Sequence, residues 1–227
     1  MRIAILGGTF NPLHIGHCML ADTVVSELGY DKVFFVPTYV PPHKTLNTTV
    51  TPEQRLGMLR AFCDASAVQL GGRRVFEVED CEIRRGGISY TSDTLEYFAT
   101  HYKTDGKPAF IMGQEVAAQF DKWHNSAKVA SLAELIIARR HPDNNGVRVE
   151  GFVNTPSGDY AADYADQSLL EHFPYEHRLL ENPVFPVSST EIRSRIATGK
   201  SFRYLVPEAV FQYICENGLY VNGNCRK

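Results

Sequence analysis

An unbroken apolar run near the start gives way, across two glycines, to a pattern of helical period. Ile3-Ala4-Ile5-Leu6 shows no polar alternation, which suits a strand buried on both faces of a parallel sheet. Ile15, Met19, Leu20, Val24 and Leu28 then recur at helical spacing, and Gly29 stands where a helix can stop. Lys32-Val33-Phe34-Phe35-Val36 is a second apolar strand, closed by Pro37. Strand, helix and strand in this order predict a parallel βαβ unit. The expected fold is therefore α/β, with a doubly wound, mainly parallel sheet flanked by helices.

Between the first strand and the first helix lies Gly7-Gly8-Thr9-Phe10-Asn11-Pro12-Leu13-His14-Ile15-Gly16-His17. That corner, at the carboxyl end of a strand in an open α/β sheet, is where ligands bind. The glycines are read as a sharp turn that brings backbone close to a ligand. His14 and His17, three apart, are expected on one helix face. A helix N-terminus offers free N–H groups and a favourable dipole to an anion. The pattern predicts a site for a nucleotide's phosphates. Two imidazoles alone fall short of the three or four ligands a metal needs, so no metal ligands are assigned.

Later segments repeat the strand-to-helix format. Thr38-Tyr39-Val40-Pro41-Pro42-His43-Lys44 is a stiff loop leaving the second strand, and Lys44 is a flexible point charge at its end. Thr51, Pro52 and Gln54 predict a capped helix start, with Leu56, Leu59 and Phe62 as its buried stripe. Arg55, on the same helix, reads equally as a solvated surface arginine or a structural one. Val75-Phe76-Glu77-Val78 reads as a strand, with Cys81-Glu82-Ile83 as its continuation or an edge. Thr91 or Ser92 is expected to cap a helix carrying Leu95, Phe98 and Tyr102. Pro108 to Met112 and Leu135 to Ala138 are further buried strands, with a helix over Ala127 to Leu132 between them. Ser188-Ser189-Thr190-Glu191-Ile192-Arg193 predicts a serine-capped helix ended by Gly199, with a guanidinium fork suited to phosphate. A last helix runs from Pro207 to Asn217, with Gly218 beyond it. Residues 143–182 have weak periodicity and are read as an insertion or elaborated loop.

Composition limits what such a chain can do. A length of 227 residues and an apolar fraction of 44% suit one α/β domain, residues 1–227, with a small C-terminal helical part over residues 188–221. A net charge of −3 argues against bulk electrostatic binding of nucleic acid. Cys18, Cys63, Cys81, Cys215 and Cys225 are scattered without a CxxC pair, which suits a reducing, cytoplasmic compartment. No apolar run approaches the ~20 residues that span a bilayer, so no membrane partner is expected.

The opening motif closely resembles the GGTFDPxHxGH signature of the bacterial nicotinate mononucleotide adenylyltransferases, of the HxGH nucleotidyltransferase superfamily, with Asn11 where Asp is more usual. Pro41-Pro42-His43-Lys44 looks like that family's phosphate-contacting loop. Ser89-Tyr90-Thr91-Ser92-Asp93-Thr94-Leu95 is similar to its SYTxDTL string, and Ser188 to Arg193 to the superfamily's C-terminal ISSTxIR. The resemblance spans roughly residues 1–142 and 184–221. It implies a Rossmann-like fold and the joining of ATP to nicotinate mononucleotide, giving nicotinate adenine dinucleotide and pyrophosphate in NAD biosynthesis.

By the same resemblance His14, His17, Lys44 and Arg193 carry the catalytic charge. ATP would meet Gly7, Gly8, Thr9, Phe10, Gly16, Gly113, Ser188 and Ser189, with Glu115 standing for the family's usual ribose-facing Asp. The mononucleotide would meet Tyr90, Thr91, Trp123 and His124. Mg²⁺ would arrive on the phosphates of ATP, and the chain leaves room for a homo-oligomer. Related enzymes using nicotinamide mononucleotide or phosphopantetheine, and a non-catalytic nucleotide-binding module, are the competing readings. A class I aminoacyl-tRNA synthetase, suggested by the literal HIGH string, fails for want of a KMSKS loop and of length.

Overall fold

The computed structural model describes residues 1–42, 50–139, 170 and 173–221. Six parallel strands form one sheet in the order β3-β2-β1-β4-β5-β6. They are β1 (Ile3–Gly8), β2 (Lys32–Pro37), β3 (Phe76–Val78), β4 (Ala109–Gly113), β5 (Glu134–Ala138) and β6 (His177–Leu180). The strand order reverses between β1 and β4, so their carboxyl ends open the crevice where ligands lodge in sheets of this kind. The doubly wound α/β architecture expected from the sequence is the one observed.

Strand alternation sends successive side chains to opposite faces of the sheet. Ala4, Leu6, Val33 and Phe35 pack into one core, with Val24 of α1 (Ile15–Ser26), Leu59 of α2 (Pro52–Gln69), Ile192 of α7 (Ser189–Ala197) and Ile214 of α8 (Glu208–Glu216). Ile3, Ile5, Phe34 and Val36 pack into the other, with Cys81 of α3 (Cys81–Arg85), Leu95 and Phe98 of α4 (Thr91–His101), Ala117 of α5 (Gln114–Ala117) and Val129 of α6 (Ser126–Leu132). The C-terminal helices thus complete the core that α1 and α2 begin. No described helix is long and apolar enough to cross a membrane.

Local chemistry explains most boundaries. Thr51 accepts from the Gln54 N–H at 3.2 Å while the Gln54 side chain accepts from the Thr51 N–H at 2.9 Å. The reciprocal box that the sequence predicts therefore starts α2, with Pro52 in its first turn. Ser188 caps α7 by accepting from the Glu191 N–H at 3.2 Å. Gly29 takes φ +69° beyond α1, a conformation that costs glycine little.

Several expectations are corrected. Cys81-Glu82-Ile83 is not a strand edge but the start of α3, five residues ended by Gly86 at φ +69°. Neither Thr91 nor Ser92 caps α4; Tyr90 occupies that position without a side-chain cap bond. Pro207 is the cap residue of α8 rather than its first helical residue. Within 143–182, read as insertion or loop, residues 177–180 form β6 and pair in parallel with β5 from Leu135–His177 to Ala138–Leu180. Only Leu180 of that strand is fully buried, so it has no apolar run to reveal it. Lys44, and residues 143–169 of the suspected insertion, lie outside the described residues.

Candidate active site

The β1–α1 corner differs in detail from a glycine turn. Gly7 and Gly8 remain in β1, in register with Val36 and Pro37. The left-handed residue is Phe10, at φ 45°, an uncommon conformation outside glycine. Its buried ring is fixed edge-on to His17 at 5.1 Å and to Phe35 at 5.6 Å. A Cβ on Gly8 would stand 3.2 Å from that ring. Gly8 therefore serves close packing rather than backbone reversal.

His14 is the cap residue of α1, extended at φ −138°, rather than a member of the helix face. The two imidazoles nevertheless meet, stacked at 3.7 Å and 27°. The His14 backbone N–H donates to His17 Nδ1 at 3.2 Å. An accepting Nδ1 carries no proton, so this bond fixes His17 as the neutral ring protonated on Nε2. Gly16 makes room for this arrangement, since a Cβ there would lie 3.1 Å from the His14 ring and 3.3 Å from Val187.

The far end of the chain closes over the same loop. Arg193 Nη1 donates to the Asn11 carbonyl at 2.8 Å, and Nη2 to Thr190 Oγ1 at 3.2 Å. The Ser189 hydroxyl donates to the Pro12 carbonyl at 2.9 Å. Tyr220 donates its phenol to Asn11 Oδ1 at 2.7 Å, an acceptor that the more usual Asp would also supply. From below, Arg55 Nη1 bridges the carbonyls of Thr9, at 2.9 Å, and Thr38, at 2.7 Å. Arg55 is 1% exposed, which rules out the solvated-face reading. Burial pulls its pKa down from the ordinary guanidinium range, yet such a group stays charged. It joins the loops that follow β1 and β2.

Beside this corner lies a cavity of about 160 Å³, a volume that can take a benzene-sized ring. Gly7, Gly8, Thr38, Pro41 and Pro42 form one side, and Ser89, Tyr90, Thr91 and Thr94 another. Ile5, Val36, Phe110, Trp123, His124 and Glu82 complete it. Trp123 is half-buried, edge-on to Phe110 at 6.0 Å and tilted against Phe120 at 5.2 Å, so it is both packed and wall-forming. Tyr90 and His124 lie ring to ring at 4.3 Å.

The expected site residues therefore fall into two adjoining groups. Gly7, Gly8, Tyr90, Thr91, Trp123 and His124 meet on the cavity wall. His14, His17, Ser189 and Arg193 gather around the Asn11-Pro12 loop, with Ser188 as the cap of the same α7 turn. Gly113 and Glu115 lie at the β4–α5 junction, at the carboxyl end of the strand that borders β1, with Glu115 in the first turn of α5. Glu82 was not foreseen. It is 7% exposed and takes the Thr94 hydroxyl bond on Oε1 at 2.6 Å. Burial pushes its carboxyl up from the ordinary range, against the opposing bonds from Thr94 and Ser89.

A switch-point crevice, a helix N-terminus carrying paired imidazoles and an aromatic cavity define a nucleotide-handling α/β protein of the nucleotidyltransferase type. Residues 5–195 match the Cytidylyltransferase-like family. A probable nicotinate-nucleotide adenylyltransferase of Treponema pallidum (strain Nichols) is 36% identical over 223 residues, covering 97% of this chain and 99% of the relative. Its counterpart in Borrelia garinii subsp. bavariensis is 36% identical over 221 residues, with 97% and 95% covered. Among solved structures, the Plasmodium falciparum nicotinic acid mononucleotide adenylyltransferase complexed with NaAD shares the fold. Its TM-score is 0.66 at 18% identity, over 96% of this chain and 97% of that one. The chain belongs to the nicotinate-nucleotide adenylyltransferase family.

Proposed function

We propose that this chain, in the cytoplasm, transfers the adenylyl group of ATP to nicotinate mononucleotide, releasing pyrophosphate and forming nicotinate adenine dinucleotide. The observation that carries this reading is the adjacency of an aromatic, ring-sized cavity to the imidazole-bearing helix start at one sheet edge. The mononucleotide's own phosphate is the nucleophile, already ionised near neutral pH, so no side-chain nucleophile or strong base is required. The P–O bond to the attacking phosphate forms at the α-phosphorus as the bond to the leaving pyrophosphate breaks. The protein's task is to hold two anions in line and to stabilise charge on the leaving group.

In this reading His17, protonated on Nε2, donates to the phosphates beside His14. Arg193 and Lys44 supply fixed positive charge, while Ser188 and Ser189 order the α7 turn. Gly7, Gly8, Thr9, Phe10 and Gly16 shape the backbone the nucleotide lies against, and Gly113 and Glu115 face the adenosine. Tyr90, Thr91, Trp123 and His124 receive the pyridine ring and its sugar.

Mg²⁺ is implied by the reaction. Among the described residues no group of three or more His, Cys, Asp or Glu is placed to hold a metal ion. The groups around the Asn11-Pro12 loop are imidazoles, hydroxyls and a guanidinium, whereas this ion takes hard oxygens and few protein ligands. When bound, it would be held by the phosphate oxygens of ATP and would supply charge neutralisation there.

The test follows pyrophosphate release with ATP and either nicotinate or nicotinamide mononucleotide. Faster turnover of the nicotinate form supports the assignment, and equal or better use of the amide overturns it. His17→Ala is expected to lower turnover ~100-fold or more with the fold intact; near-normal turnover in that folded variant removes His17 from the mechanism.

A further inference from the structure

The cavity wall contains one buried carboxyl that nothing above employs. Glu82, on α3, is 7% exposed and lines the cavity with Trp123, Tyr90 and Phe110. Its Oε1 accepts from Thr94 Oγ1 at 2.6 Å. Its Oε2 is buried with the Ser89 hydroxyl as the one further group bonded to the carboxyl among the described residues, and no ion pair among them holds it. The Ser89 hydroxyl, which accepts from the Tyr39 N–H at 3.0 Å, faces the same carboxyl. Arg85 and Arg55 act on it only through longer-range charge, and the Arg55 Nη1 group is already engaged by two carbonyls. A buried carboxyl with hydroxyl partners but no paired charge is costly to ionise, and one on the wall of a ligand cavity points to a positive partner that arrives with the ligand.

The chemistry of that partner follows from the reading above, on which this inference rests. A pyridine ring joined to ribose through its nitrogen is a pyridinium, so the guest is an aromatic cation at its ring nitrogen. Aromatic walls favour such a guest, and a carboxylate in a low-dielectric pocket favours it more. The ring's own carboxylate needs donors instead, and the first N–H groups of α4, at Thr91 and Ser92, precede that helix's first internal bonds. We propose that the Glu82 carboxylate is the counter-charge for the pyridinium ring and makes this cavity selective for the charged, oxidised ring. Glu82 is then a specificity residue that leaves the reacting phosphates untouched.

The experiment compares wild type with Glu82→Gln and Glu82→Asp, all as the full chain. Binding is measured calorimetrically for nicotinate mononucleotide and for its 1,4-dihydropyridine form, which keeps the carboxylate, ribose and phosphate but has a neutral ring. Wild type is expected to prefer the pyridinium form at least tenfold, consistent with a close charge pair in a partly buried site. Glu82→Gln is expected to lose about tenfold affinity for that form only, with the KM for ATP and the binding of the dihydro form within twofold of wild type. Glu82→Asp, which retains the charge, is expected to keep the preference for the pyridinium. Equal weakening of both ring forms in Glu82→Gln would identify a hydrogen-bonding or structural role and overturn the proposal, while the cavity would still be the mononucleotide site. Equal binding of the two forms by wild type overturns it without any variant. Failure of wild type to bind either form removes the underlying cavity assignment, and the proposal with it.

Discussion

Arg55 reaches two carbonyls with one nitrogen, and those carbonyls belong to Thr9 and Thr38, on the loops after neighbouring strands. Truncation to alanine takes this donor from both acceptors, which sit on half-buried residues. At about 1–3 kcal/mol for each orphaned group, Arg55→Ala is expected to lower stability by roughly 3 kcal/mol, read from urea denaturation; a loss under about 0.5 kcal/mol would show that the loops hold without it. Glu82 makes the opposite kind of demand. Burial raises its folded-state pKa above the unfolded one, so the unfolded chain gives up that proton first. The resulting penalty on the folded state is absent below the ordinary carboxylate range, about 4. It grows as pH rises from there through the folded pKa. Glu82→Gln keeps the acceptor for Thr94 and removes the penalty. Its melting temperature is therefore expected to gain on wild type between about pH 4 and neutrality, and to converge with it in acid. Wild type gaining on the variant over the same range would mean that the carboxylate is stabilised, not strained. Both residues hid in the sequence for a physical reason: a lone arginine or glutamate on an amphipathic stretch is normally solvated, and only the tertiary packing shows which one is not.

Helices announced themselves where they carry their own stop and start chemistry. The Thr51–Gln54 pair and Ser188 were readable because capping is local. α3 has five residues and no side-chain cap bond, too short to show a helical period, so its residues resembled a strand. β6 exposes two of its four residues and fully buries only Leu180 in the core, so it has no apolar pattern to read. One contact between elements was invisible in any local pattern. α2 and α8 cross at Gly57, where an added Cβ would stand 2.1 Å from the Tyr213 hydroxyl. Gly57→Ala is expected to cost about 1–3 kcal/mol through overpacking, although alanine is the better helix former. Adding Tyr213→Ala should recover part of that loss, giving a double variant more stable than the sum of its parts predicts. Additive losses in thermal melts would place the strain elsewhere.

At the scale of the molecule, the doubly wound, mainly parallel class was legible because a parallel βαβ opening restricts what can follow it, whereas the strand order came from the structure. Lys44 lies outside the described residues; of the expected catalytic set, His14, His17 and Arg193 are the ones seen around one loop. Arg193 meets the Asn11-Pro12 loop, and the aromatic cavity lies beside the imidazole pair, as the separate ATP and mononucleotide sets read from the sequence require. Residues 188–221 are better described as a wall of the core than as an appendage, since Ile192, Val210 and Ile214 are fully buried in it. We propose that the chain unfolds as one cooperative unit. A chain ending at residue 187 is expected to show no cooperative thermal transition, and a sharp transition in it would establish an independent N-terminal domain. The bond from Tyr220 to Asn11 joins positions 209 residues apart. During synthesis, then, the loop proposed to meet the nucleotide is among the first segments to leave the ribosome and among the last to be finished. A prematurely terminated product keeps the complete histidine motif and still lacks the brace that sets it.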